Sequence, residues 1–342
     1  TIQTGGITGD TQNLTVGGAG NTTISAVIGT TTGTLTKDGA GTLTLSGTNT
    51  YTGTTTVLAG TLAVGAEAPS GSAGALGNAS SSVVVGDSSG SNNAALLNTG
   101  AFTIARNISV ASGNSGTMTV GGSNTSGTAT FSGSITLNKA ATFAAAAGGS
   151  VLITGAVSAN AVLTTLVGTT TGNLTMNSTT NDLTNILVTS VQNLVIVDAD
   201  DINFDTGTST ISGTLNLTTS GLISDTGNEV ITGTATFAAG TGNDITLDTS
   251  SNNFSTVVVT TVRHLSLVDT NAIVLGASTA SGNLSVTAVG ITQTGTITVS
   301  GTSTFNGGAG VITLTTGTND FTGAVSANNT GANAIQLTDT NA

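Results

Sequence analysis

Residues 252–269 read NNFSTVVVTTVRHLSLVD, and two other stretches follow the same plan: NDLTNILVTSVQNLVIVD at 181–198 and NDFTGAVSANNTGANAIQLTD at 319–339. The Asn-x-apolar landmark ends at Leu183, Phe254 and Phe321, with offsets of 71 and 67. The closing Asp falls at Asp198, Asp269 and Asp339, with offsets of 71 and 70. A third pair, ITGTATF ending at Phe237 and VSGTSTF ending at Phe305, is 68 apart. A fixed period means one structural unit copied along an axis. Residues 181–342 therefore hold three copies of a 67–71-residue repeat, the last one truncated.

Within the copies, apolar and polar residues alternate in short runs. Ile245 and Leu247, Leu265 and Leu267, Ile273 and Leu275, Leu284 and Val286, Ile297 and Val299, and Ile335 and Leu337 are such pairs, as are Leu43 and Leu45 and Leu62 and Val64 earlier. Each pair puts two side chains on one face of a strand and turns the residue between them to the other. Strand starts recur about every eight residues from Ile245 to Ile335, with Gly, Asn, Asp or Ser between them, which is an all-β signal. A sandwich needs hairpins and no 70-residue copy. A solenoid predicts both the period and the spacing. The expectation is a right-handed parallel β-helix, with about three strands and roughly 20–24 residues per coil. Each repeat would then be three coils, with equivalent side chains stacked like on like. About fifteen coils, rising roughly 4.8 Å each, predict a rod on the order of 70 Å.

Composition bounds the function. The 342 residues carry 4 basic and 16 acidic side chains, for a net charge of −12. Nucleic-acid binding rests on Lys and Arg contacts to phosphates, and anionic membranes attract the same residues, so neither partner is expected. No run of 18 apolar residues offers a spanning helix, so membrane insertion by this segment is not expected. The start, TIQTGGITGD, has no basic end or apolar stretch, so no signal peptide is read there. Cysteine is absent, which excludes disulfides and thiolate metal sites and fits an exported chain. Gly, Thr, Ser, Asn and Val are poor helix formers, and Pro69 is the one proline.

The organisation read from the residues is one continuous solenoid over 1–342, with 1–180 looser and 181–342 strictly repeated. Gly155 to Asn160 (GAVSAN) recurs as Gly323 to Asn328, and Gly29 to Gly33 (GTTTG) as Gly168 to Gly172. Residues 66–82 (AEAPSGSAGALGNASSS) lack alternation and form the expected excursion from regular coils. The chain stops at Asp339–Ala342, which copies Asp269–Ala272 in mid-repeat, where IVLGAS would follow. The expectation is a slice of a longer protein, or a subunit that stacks end to end.

Leu35 to Gly65 reads LTKDGAGTLTLSGTNTYTGTTTVLAGTLAVG, with GALGN at 74–78 as its sequel. This closely resembles the autotransporter-associated β-strand repeat of passenger regions in bacterial type V secreted proteins. The 70-residue repeats are similar to those of very large haemagglutinin-like surface proteins. The resemblance implies a right-handed β-helix exported to the cell surface or medium, with roles in adhesion, biofilm matrix or surface fibres. It brings no catalytic residues. Neither the NPNG-type start of two-partner secretion nor a C-terminal membrane barrel is in the sequence given.

Candidate chemistry is thin. Asp198, Asp200, Asp201 and Asp205 form the densest charge, but DADDINFD lacks an EF-hand loop and a GGxGxD repeat, so a solvated turn is expected. His264, the single histidine, takes the strand position that Gln192 holds one copy earlier and is expected to face outward beside Arg263. A polysaccharide-acting β-helix needs paired carboxylates, or a basic residue beside calcium-binding acids, in a groove. Lys37, Arg106, Lys139 and Arg263 are scattered far apart. Gly39-Ala40-Gly41 has no helix after it to hold a phosphate. Ice binding would need the pairs Thr42/Thr44, Thr128/Thr130, Thr234/Thr236 and Thr296/Thr298 to stack on one flat face. No catalytic residue, cofactor or metal ligand is assigned. The expected partners are copies of the chain itself or flanking repeats by end-to-end stacking, and host or cell-surface glycans or proteins.

Overall fold

The computed structural model describes residues 5–159, 162–168 and 171–341, leaving aside the side chain of residue 167. Asn160, Thr169 and Thr170, which belong to the two looser copies above, lie outside the described residues. Among the described residues there are strands, turns and bends and no helix. Among the described residues every strand-to-strand ladder is parallel, and the antiparallel pairing is one isolated bridge, Asn49 to Gly74. The chain is an all-β, parallel β-solenoid that falls into two compact units, Thr1–Leu183 and Thr184–Ala342.

In the first unit one sheet runs through Thr22–Ile24, Thr42–Leu45, Gly60–Val64, Ala94–Asn98, Met118–Gly122, Ala141–Ala145 and Leu163–Gly168. Its register stacks Leu43, Leu62, Leu96, Val120, Phe143 and Leu166, all buried. A second sheet stacks Val57, Val85, Val110 and Leu137, and a third stacks Ile104, Phe131, Ile153 and Met176. These are the inward members of the alternating pairs. A coil cannot cover its own apolar face, so each stack is buried by the coils on either side. In the first sheet the steps from Leu43 to Leu62, Leu96 to Val120, Val120 to Phe143 and Phe143 to Leu166 are each one short coil. The step from Leu62 to Leu96 is longer, because this coil holds residues 66–82. Small apolar side chains without alternation bury this segment: Ala68, Ala75, Leu76 and Ala79 all point inward.

The corners explain the GAVSAN copies. A Cβ on Gly155 would run into the carbonyl of Gly133 one coil earlier, and one on Gly323 into that of Gly301. Only glycine lets the turns stack that closely.

In the second unit the repeat does not stack like on like. The ladder from Leu194 passes through Leu215 and Ala235 to Val257, which completes three coils. The sequence counterpart of Leu194 is Leu265, which begins the next strand after the one holding Val257. The strand Asn193–Val197 pairs into the ladder of Leu215–Thr218, whereas Leu265–Val268 pairs with Ile245–Leu247 and Leu284–Thr287 in the neighbouring sheet. The third copy, Ile335–Leu337, returns to the sheet of Asn193–Val197. A copy is therefore three coils plus one face, not three coils. The coils of this unit are too short for three of them to fill the repeat, so each copy runs on into the next face.

Candidate functional site

The recurring landmarks turn out to be clamps between coils. A tight turn precedes each landmark asparagine: the N–H of Asn181 reaches Ser178 O, that of Asn252 reaches Thr249 O, and that of Asn319 reaches Thr316 O. The turn drives the asparagine into the interior, where all three are fully buried. Their Oδ1 atoms accept the N–H of Val157 (2.8 Å), Glu229 (3.0 Å) and Ile297 (3.0 Å), each one coil earlier. The closing aspartates clamp in the same direction. Asp269 takes the Phe254 N–H (2.5 Å), and Asp339 takes the Phe321 N–H (3.1 Å). Their other job is a local turn, accepting the N–H of Asn271 and Asn341. The two periodic motifs found in the sequence are thus halves of one contact. Burial pushes the Asp269 pKa up, against the pull of its two N–H donors.

Three of the four scattered basic residues, Lys37, Lys139 and Arg106, are carbonyl caps. Lys37, buried, donates to Asp38 O (2.8 Å), Gly39 O (2.7 Å) and Ala59 O (3.0 Å). Desolvation lowers its pKa, with Asp38 opposing. Lys139 donates to Asn114 O (2.6 Å) and Gly116 O (2.5 Å). Arg106 is fully buried under the 66–82 segment, with Nη1 on Leu76 O (2.7 Å) and Nε on Ser81 O (3.0 Å). Nearby, the Tyr51 hydroxyl meets Thr55 Oγ1 at 2.8 Å, and burial raises its pKa to about 12. Arg263 alone is on the surface, forked onto Asp244 at 2.7 and 2.8 Å, and this bond lowers the Asp244 pKa. Both partners are open to solvent, so Arg263→Ala is expected to leave the thermal midpoint unchanged in calorimetry.

His264 does not simply face outward. It is half-buried, and its Nδ1 accepts the Asn283 N–H at 2.9 Å. Asn193 does the same for Thr214 (2.9 Å), so the residue that His264 replaces one copy earlier is Asn193 rather than Gln192. The acidic run splits. Asp198 is buried and caps the Asp200 N–H (3.0 Å), which corrects the expectation of a solvated turn at that residue. Asp200 and Asp201 are exposed, Asp205 is half-exposed, and Asp201 accepts the Leu222 N–H. Among the described residues no three His, Cys, Asp or Glu side chains gather as a metal site.

One buried acid was not found by motif. Glu229 has no exposure, and neither carboxyl oxygen has a hydrogen-bond partner of normal geometry. Burial first, and then the neighbouring Asp225 carboxylate, raise its pKa to about 9. The available signal was its place: Glu229 alternates with Ile231 at an inward position of NEVITG.

The outer faces are neutral and polar. In the second unit Asn185, Asn203, Ser224, Thr246, Ser266, Ser285, Thr304 and Ser326 form one outward column, a residue per coil. Asn203 bridges Asn185 and Ser224, each at 3.2 Å. The four Thr-x-Thr pairs do not stack as one column: Thr42/Thr44 and Thr298 lie in two other sheets than the one that holds both Thr128/Thr130 and Thr234/Thr236. In the first unit Thr42/Thr44 and Thr128/Thr130 are on separate faces, and in the second Thr234/Thr236 and Thr298 are likewise apart. A cleft of about 590 Å³ in the first unit is lined by residues such as Gly39, Ala59, Gly60, Asn93 and Thr117, without a charged or aromatic side chain.

Two family models match the chain. Residues 35–64 match the passenger-associated-transport-repeat, and residues 191–261 and 262–328 each match the repeats of unknown function DUF5649. No curated protein and no solved structure gives a significant match. The first match covers the segment that resembles the autotransporter repeat in sequence, and the second divides the chain at the beat set by Asp198 and Asp269. The chain thus carries one passenger-associated-transport-repeat in its first unit and two DUF5649 repeats in its second.

Proposed function

We propose that this chain is a structural or adhesive segment of a bacterial extracellular surface protein, without catalytic activity. The passenger repeat and the β-solenoid support a secreted or surface location. The observation that carries the adhesive reading is the outward column from Asn185 to Ser326. Hydroxyl and amide groups at one-coil spacing offer many weak, neutral contacts in series, which suits a long glycan or protein strand better than a small molecule. The Lys, Arg and buried Asp side chains support the non-catalytic reading, because their polar atoms are engaged on backbone groups or, for Arg263, on a surface carboxylate. The alternative within the same class is a filament subunit joined end to end to copies or flanking repeats.

Display of the chain on bacterial cells tests this. Adhesion to glycan-coated or protein-coated surfaces is expected to fall at least severalfold when Ser266, Ser285 and Thr304 are all changed to Arg, with the unfolding midpoint kept. Unchanged adhesion sinks the column as the binding surface. Polysaccharide cleavage abolished by one point substitution sinks the non-catalytic reading. Electron microscopy of the native material separates rods from continuous fibres.

A further inference from the structure

The two DUF5649 repeats build one clamp with two chemistries. In the second, Gln293 Oε1 accepts the Thr316 N–H (3.3 Å) and Asn319 Nδ2 (2.9 Å), and Asn319 Oδ1 accepts the Ile297 N–H (3.0 Å). In the first, Asp225 Oδ2 accepts the Thr249 N–H (3.3 Å) and Asn252 Nδ2 (2.6 Å), and Asn252 Oδ1 accepts the Glu229 N–H (3.0 Å). Asp225 and Gln293, Glu229 and Ile297, and Asn252 and Asn319 are therefore counterparts one repeat apart. The geometry is held while a neutral amide becomes a carboxylate and a core isoleucine becomes a second acid. Neutral residues suffice for the clamp, so the acid pair adds something that its counterpart lacks.

We propose that Asp225 and Glu229 form a proton-held latch between coils of the first repeat, closed while the two carboxyls share one proton and loosened as it is lost, whereas the Gln293 clamp of the second repeat is indifferent to pH.

The donors decide which acid keeps the proton. Asp225 accepts three N–H groups, from Asp248 (3.1 Å), Thr249 and Asn252. Glu229 receives none and is fully buried, so it is the neutral acid, with Asp225 as the acceptor within its reach. N–H groups aimed at Asp225 also oppose a metal ion there, since a cation would face their positive ends. The titratable groups on the flanking coils are Asp205 on one side and Asp248 on the other, both acidic. Residues 202–254 contain no Lys, Arg or His to neutralise a second charge. The sign follows. Glu229 keeps its proton in the fold up to pH about 9 but loses it near its ordinary value when unfolded. Between those values the native state binds the extra proton, so stability falls as pH rises.

The full chain is unfolded in urea at pH 5 to 10, beside Asp225→Gln/Glu229→Ile, which imports the second repeat's residues. One linked proton predicts that the unfolding constant of the parent rises about tenfold per pH unit from pH 5 to about 9, and levels off above that, relative to the double variant. Parallel profiles overturn the latch. Glu229→Gln, which keeps size and polarity, guards against a double variant that fails to fold, and it too is expected to lose the relative slope. Glu67 and Glu229 are the two glutamates, so carboxyl-13C glutamate labelling gives two signals. One that titrates near 9 and vanishes in Glu229→Gln supports the latch, and ordinary titration of both overturns it. Stabilisation by calcium that EDTA reverses and Glu229→Gln abolishes would assign a cation in place of the proton, and also overturns it.

Discussion

Arg106→Ala is expected to lower the stability of the first unit by about 3–5 kcal/mol, a drop of roughly 10 °C in thermal midpoint for a unit of this size. Two losses combine. The guanidinium is among the largest fully buried side chains, so truncation opens a cavity beneath residues 66–82. Its N–H groups also hold the carbonyls of Leu76 and Ser81, and Leu76 is itself fully buried, so its oxygen has no water to turn to. Relief of the buried charge offsets part of this, but the orphaned carbonyl and the void remain. Arg106→Lys is expected to recover only part, because an ammonium lacks the volume and the rigid planar donor array that guanidinium sets between the Leu76 and Ser81 carbonyls. Limited proteolysis adds a local readout: cleavage between residues 66 and 82 should precede global unfolding in the Ala variant. Cleavage spread evenly along the unit would show that Arg106 does not pin this segment.

Asn319→Ala is expected to cost the second unit about 3–5 kcal/mol, since several buried polar groups lose partners at once. Ile297 N–H loses its acceptor, Leu314 O loses a donor at 3.1 Å, and the Gln293 amide loses both of its contacts to Asn319, at 2.8 and 2.9 Å. Hydrogen exchange should quicken at Ile297 and Thr298, while amides two coils away stay protected. Thr318→Ala is the matched control. Its hydroxyl meets Thr296 at the surface, and its removal should leave the urea midpoint unmoved. Equal effects of the two substitutions would mean that burial of the asparagine is not what the repeat preserves.

Much of this is legible in order along the chain. Alternation identifies Leu265, Leu267, Ile273 and Leu275 as inward residues, and all four are buried. The motif spacing marks Asn181, Asn252 and Asn319 as equivalent, and they perform one task. What is not legible is which residues meet. Asp269 and Phe254 read as separate landmarks, yet a single hydrogen bond joins them. Assigning His264 to Gln192 takes an offset of 72, whereas the 71-residue beat of the flanking landmarks pairs it with Asn193, and the matching bonds to the following coil agree with that pairing. Glu229 escapes notice because its chemistry depends on a neighbour in the same corner and on a roof of residues 248–252 from the next coil.

The sequence alone determined the class of fold and its unit. Side-chain alternation, abundant turn residues and a recurring beat are local properties, readable wherever the chain goes. The tertiary structure decided the pitch. Coil length depends on where each corner bends, and small differences accumulate along the ladder, so three coils end at Val257 while the copy of Leu194 waits at Leu265 on the next face. It also decided the state of the charges. Lys37, Arg106, Asp198 and Glu229 look like solvent-seeking groups in one dimension, and only the coils stacked around them reveal that water is excluded and that backbone groups or a proton must take its place.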